Sequence, residues 1–282
     1  MAASQRSLRL NNVYRFELLA ARDRAVIAVA SSWRALTIES YDEQFPAWLR
    51  SATATVAIAQ GHAATLSNRF AAAYVGSELN RSFELNRSSQ RRDAGRTVDG
   101  RPVSQVLALS DISTRSALAR GASPERGLDL GLARAVRATR TEVMDAGRSA
   151  LAEAMVAEPR IVGWQRITTG APCGACLALS DQGLRTTEED LEIHPSCTCT
   201  ALPVVGGVRD TVQPLTGMAL FESKTPAEQD ALFDGGAGAV KAQLLRGGDI
   251  TLADLVTHHH HPEWTDGVYE TPLNQLPAAA TN

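Results

Sequence analysis

The sequence predicts an α+β protein that is mainly α, with long N-terminal helices followed by a small β-containing metal-knuckle domain and short C-terminal helices. Three observations lead there. Alanine-rich stretches with apolar residues every three or four positions dominate the chain as far as Val156, all four cysteines fall between Cys173 and Cys199, and helix-start patterns follow at Thr225 and Thr251.

A 282-residue chain is long enough for one large domain or two modest ones. Apolar residues make up 44% and charged residues 21%, a balance that excludes wholesale disorder. Aromatics are only 5%, so the helices are expected to close on one another through small side chains. No run approaches the roughly 20 apolar residues a membrane helix needs, and the N-terminus lacks the charged head and apolar run of a signal peptide. Neither membrane insertion nor signal-directed export is expected. The net charge of −3 conceals two opposite halves: residues 1–160 hold 22 arginines and no lysine against 16 acidic residues, a net +6, while residues 161–282 come to −9. The halves are expected to face different partners, and +6 over that length is weak footing for a dedicated DNA binder.

The first helix is predicted from Ser7 to about Leu36, with Phe16, Leu19, Val26, Ala30 and Trp33 on one stripe. Residues 37–45 interrupt it, and Pro46 fits the first turn of a second helix, where its missing N–H costs little. That helix carries Leu49, Ala52, Val56, Ala59, Ala63, Leu66, Phe70 and Ala73 at steps of three and four, with His62 beside the stripe at the surface. Residues 80–101 form an Arg-rich linker whose Arg81, Arg87, Arg91, Arg92, Arg96 and Arg101 are the candidate phosphate contacts, a solvated loop being the plainer reading. A shorter helix is expected from Val103 to Arg120, ending at Gly121. A third long helix follows from Pro124 to Val156, with Leu132, Val136, Thr139, Val143, Ala146, Ala150 and Ala154 on one side. Gly131 and Gly147 inside it imply a kink or a close backbone contact. Arg140 and Glu142, two apart, cannot face one another.

After Pro159 the texture changes. Residues 161–169 read as a strand with Trp164 as a core aromatic, residues 185–193 as acidic and irregular, and Thr200–Val205 as an edge strand because of Pro203. Thr225-Pro226-Ala227-Glu228 is a capping box with a first-turn proline, and Thr251 to Asp254 repeats the idea. Gly235, Gly236 and Gly238 lack the order of a dinucleotide loop and read as a turn. His258 to His261 are expected in a surface loop, and the last ten residues in a loose arm or strap. The resulting division is a helical region 1–122, a region 123–210 holding the long helix and the knuckle, and a tail 211–282.

Cys173 and Cys176 form a knuckle whose two-residue spacing lets both sulfurs meet one ion, with Gly174 free to adopt the backbone angles such a turn demands. Cys197 and Cys199 follow, with His194 just ahead, making five donors for a tetrahedral centre that needs four. Sulfur and imidazole suit Zn2+. The preferred set is the four cysteines, with His194 replacing one or standing behind them. In an extended strand Cys197 and Cys199 stand too far apart, so the chain must bend there. Local disulfides, a redox pair and inert thiols are the competing readings. A catalytic metal would need an open position and a base such as Glu188, Glu189 or Glu192, and neither a histidine-x-glutamate element nor an HExxH helix is present. The sequence thus points to a non-enzymatic, structural centre.

Ala138-Thr139-Arg140-Thr141-Glu142, Gly163-Trp164, Thr168-Thr169-Gly170, the Cys173 to Cys176 knuckle and the His194 to Cys199 segment together resemble the phage Mu F-like head morphogenesis proteins, or minor capsid proteins. The segment from Thr225 through Gly238 to Val256 resembles members from phages of actinobacteria, so the likeness covers roughly 125–256. It implies a minor structural protein of a tailed-phage head, located in the virion and, during assembly, in the host cytoplasm. Its partners would be the portal or major capsid protein and packaged double-stranded DNA, within an oligomeric assembly acting in head morphogenesis or DNA packaging and delivery. The alternative is a metal-dependent nuclease or hydrolase acting during packaging. The family's patterned positions fall on Arg140, Glu142, Trp164 and the five donors.

Overall fold

A computed structural model describes residues 2–80, 94–168, 173–193, 197–207, 216–233, 238–261 and 264–277, and divides the chain into two compact units, Ala2–Glu158 and Pro159–Asn282. The molecule is mostly helical, with long helices first and a small sheet region after them. Among the described residues no helix is long and apolar enough to cross a membrane.

Among the described residues the first unit is four helices, α1 (Ala2–Trp33), α2 (Tyr41–Glu78), α3 (Val103–Ala119) and α4 (Pro124–Ala157), with α4 packed against each of the other three. The core face of α1 is Tyr14, Leu18, Ala21, Ala25, Val29 and Trp33; of the stripe expected through Phe16, Ala30 and Trp33 are buried, Leu19 and Val26 are half-buried, and Phe16 is 74% exposed. Leu8, Val13 and Ile27 are also exposed, so α1 is apolar on more than one side and periodicity alone does not orient it. In α2 the run Ala52, Val56, Ala59, Ala63, Leu66, Phe70 is buried as expected. The helix nevertheless begins at Tyr41, leaving Pro46 inside it rather than in its first turn. Tyr41, Phe45 and Trp48 draw that extra turn inward by closing around Trp33, whose ring meets Trp48 edge-on at 4.6 Å.

Helix α4 starts where Ser123 accepts a hydrogen bond from the Arg126 N–H and Pro124 takes the first helical position. Its glycines mark close contacts. A Cβ on Gly131 would fall inside Thr114 Oγ1 and the Trp33 ring, and one on Gly147 would crowd Leu18 and Ser67. The Trp33 indole is itself pinned, donating to the Leu128 carbonyl at 3.0 Å. Gly131→Ala should therefore overpack the seam by about 1–3 kcal/mol, outweighing the roughly 1 kcal/mol of helix propensity that alanine adds. A lower urea midpoint for the helical unit is the expected result, and a raised midpoint counts against this packing.

The second unit opens with β1 (Ile161–Ile167), continues through α5 (Gly174–Ser180) and β2 (Leu184–Arg185) to β3 (Thr200–Val205), and forms an antiparallel sheet in the order β2-β1-β3. Pro203 lies in β3 opposite Trp164, on an outer strand as its missing N–H requires. Short helices α6 (Gly217–Glu222), α7 (Pro226–Asp230) and α8 (Gly238–Gly247) follow, and the capping box at Thr225 and Glu228 is formed in full. Gly235 and Gly236 lie outside the described residues. Leu177, Phe221, Leu232, Phe233, Leu245 and Leu255 share one core, which Leu276 closes like a strap.

Two expectations change here. The tail is not only helical: β4 (Val256–His261) pairs with β5 (Trp264–Glu270) in an antiparallel hairpin, so the histidine run lies in a strand and not a loop. Four identical residues carry no apolar alternation, and it is the pairing partner that makes them a strand. The long helix grouped with the cysteine region, α4, belongs with α1 to α3 in the first compact unit.

Candidate metal centre

The knuckle begins where the chain leaves β1. Cys173 caps α5, its sulfur accepting from the Cys176 N–H at 3.3 Å. Cys176 sits one turn into that helix and turns inward. Gly174 does not have positive φ; it supplies space, because a Cβ there would strike the Glu270 carboxylate and the Phe233 ring. Glu270 is held by Lys241 at 2.5 Å, an ion pair buried on both sides.

The second arm bends as the chemistry requires. Residues 197–199 precede β3 and are not in a strand, which lets Cys197 and Cys199 approach the same point. The sulfurs of Cys176, Cys197 and Cys199 all lie within 4.8 Å of one another, and the three residues are buried. Cys173, half-buried, and Ile193 pack against them. None of the four cysteines is in a disulfide. Cys176 and Cys197 stand 3.5 Å sulfur to sulfur, far beyond a bond of about 2.05 Å and close to the roughly 3.8 Å edge of a tetrahedron with 2.3 Å metal–sulfur bonds. The three buried thiols are close enough to bind one metal ion and are compatible with zinc. His194, the fifth proposed donor, lies outside the described residues.

Mutual hydrogen bonds and burial favour the neutral form of these thiols. Hydrogen bonds with Cys173, Cys197 and Cys199, followed by burial, push the Cys176 thiol far above its ordinary range. At Cys199 the hydrogen bond with Cys176 lowers the pKa, but the bond with Cys197, burial and the Cys197 charge raise it to about 12, with Arg166 pulling the other way. The knuckle does open a helix after a strand, the placement a redox pair would use, but a reactive redox thiol is lowered in pKa and that of Cys176 is raised. A metal ion bound here would replace the thiol protons.

The remaining singled-out residues have other tasks. Trp164 is buried and its indole donates to the Glu189 carbonyl at 3.1 Å, tying the acidic loop to the sheet. Glu189 pairs with Arg185, and Glu192 accepts from Gln182 at 3.4 Å. Arg140 is exposed on α4, while Glu142 is buried on it. Burial above all, then Asp145 and Asp99, raise the Glu142 carboxyl from 4.5 to about 8 against the pull of Arg101. Of the Arg-rich linker, Arg96 donates to the Gly100 carbonyl at 2.7 Å and Arg101 pairs with Asp99 at 2.7 Å, so both close a turn. Arg81, Arg87, Arg91 and Arg92 lie outside the described residues. Sequence reasoning passed over Arg166, whose signal was a charged residue in a mostly apolar strand, β1.

A family model described as VG15 protein matches residues 7–219, reaching from α1 into the second unit. No curated protein and no solved structure matches the chain.

Proposed function

This chain belongs to the VG15 protein family, which is phage-associated, and from that premise we propose that it is a minor structural protein of a tailed-phage head, of the Mu F-like kind its motifs resemble. It acts in head morphogenesis or in DNA packaging and delivery, at the portal or the inner capsid wall, within the virion. The match over residues 7–219 carries this reading, since it takes in both the helical unit and the knuckle.

The knuckle binds zinc through its thiolates and serves the fold rather than a reaction. Three of the four sulfurs are buried, and of the acidic residues that could act as bases Glu189 is engaged with Arg185, Glu192 with Gln182, and Glu188 is exposed. A nuclease or hydrolase would need a carboxylate beside an open coordination position. Mass spectrometry of purified virions and proheads is expected to detect the chain at a few copies per particle. Its absence from both particles defeats the assignment.

A further inference from the structure

Arg166 is the charge inside the second unit that the fold itself does not explain. It is 4% exposed, near the end of β1, directly opposite Ala201 of β3. Cys199 precedes Ala201 by two residues, at the point where the chain enters β3. The guanidinium donates from Nη2 to the Glu192 carbonyl at 2.5 Å, beside Ile193, which packs on the sulfurs. Nε and Nη1 are buried with no hydrogen-bond partner, and among the described residues no carboxylate pairs with the group. The Arg166 charge reaches Cys199.

An arginine cannot shed its proton to escape burial, so a guanidinium in this position requires an anion. The thiols supply one only when ionised. Four thiolates around a divalent ion carry a net charge of −2, and a buried −2 complex is as costly alone as the unpaired guanidinium.

We infer, on the basis of the zinc reading above, that Arg166 is the built-in counter-cation of the thiolate centre, donating its Nε and Nη1 hydrogens to the sulfurs of the loaded site. Each charge removes the penalty of the other. The pair makes the site selective for an all-thiolate divalent complex, whose excess negative charge Arg166 is placed to offset. Arg166 is a positioning residue: it touches the ligands and leaves the metal to the sulfurs.

Chelator competition on the full chain tests this. Arg166→Met, which keeps most of the length and removes the charge, should weaken zinc affinity about 10–100-fold, as loss of a residue behind metal ligands commonly does. Arg166→Lys should stay nearer to wild type than the methionine variant. Equal affinities for wild type and Arg166→Met overturn the role of Arg166 and leave the zinc centre standing. A wild-type protein that takes up no zinc overturns both. If the methionine variant fails to fold, the zinc-loaded wild-type crystal structure decides: N–H···S contacts from Arg166 are expected, and a guanidinium bound only to carbonyls sinks the inference.

Discussion

Stripping the metal from the intact chain, or replacing Cys176 with serine, should abolish the cooperative unfolding transition of the Pro159–Asn282 unit while leaving that of Ala2–Glu158 in place. The cysteines join two segments that have little else to hold them. Between α5 and β3 the described chain has two strand residues, and its ties are single contacts such as Trp164 to the Glu189 carbonyl and Arg166 to the Glu192 carbonyl. Zinc bound by such a site contributes on the order of 10 kcal/mol at neutral pH, comparable with the whole stability of a typical domain. Cys176 is the residue to change because its sulfur meets both arms, lying against Cys173 on one side and 3.5 Å from Cys197 on the other. Differential scanning calorimetry before and after chelation under reducing conditions, with zinc loss confirmed by elemental analysis, reads the result. Two unchanged transitions in the metal-free protein would mean the sulfurs do not organise this unit.

Raising the pH from 5 to 9 should weaken the helical unit, and Glu142→Gln should remove much of that loss. The folded Glu142 carboxyl has its pKa raised to about 8, chiefly by burial, whereas the unfolded chain releases the proton near 4.5. Between those values the native state binds more protons than the unfolded state, so stability falls as pH rises. The stabilisation is complete below about 4.5 and gone above about 8. At about 1.4 kcal/mol per pKa unit, the full swing is on the order of 5 kcal/mol. Glutamine keeps the shape of the protonated acid and has no proton to lose, so the variant should match wild type at pH 5 and exceed it at pH 9. Urea midpoints of the two proteins at both pH values test this, and a variant less stable than wild type at pH 9 refutes it.

How much could be read in advance differs from element to element for physical reasons. The α2 run from Ala52 to Phe70 was legible because its unbroken steps of three and four fall on the face that is buried. In α1 two phases compete, and only the aromatic cage around Trp33 decides between them. The Thr225 capping box and the edge placement of Pro203 were legible because each depends on a local hydrogen bond made or missing. The β4–β5 hairpin was not, since its register is set across the pair rather than along the strand. The cysteine cluster was legible in spacing, and so was the bend it needed at residues 197–199. Arg166 escaped notice because its importance lies in what stands across the sheet from it.

The seam of α4 has a thermodynamic corollary. Where it meets its neighbours, the buried positions include Gly127, Gly131, Ala135, Ala138, Gly147, Ala150 and Ala154, side chains with no rotamers to freeze. Ordering such residues gives up almost no side-chain conformational entropy, whereas an equivalent surface of methionine or glutamine would lose up to about 2 kcal/mol for each one immobilised. Helices that meet along such a seam can therefore hold together on modest burial, because so little side-chain freedom is surrendered when they close.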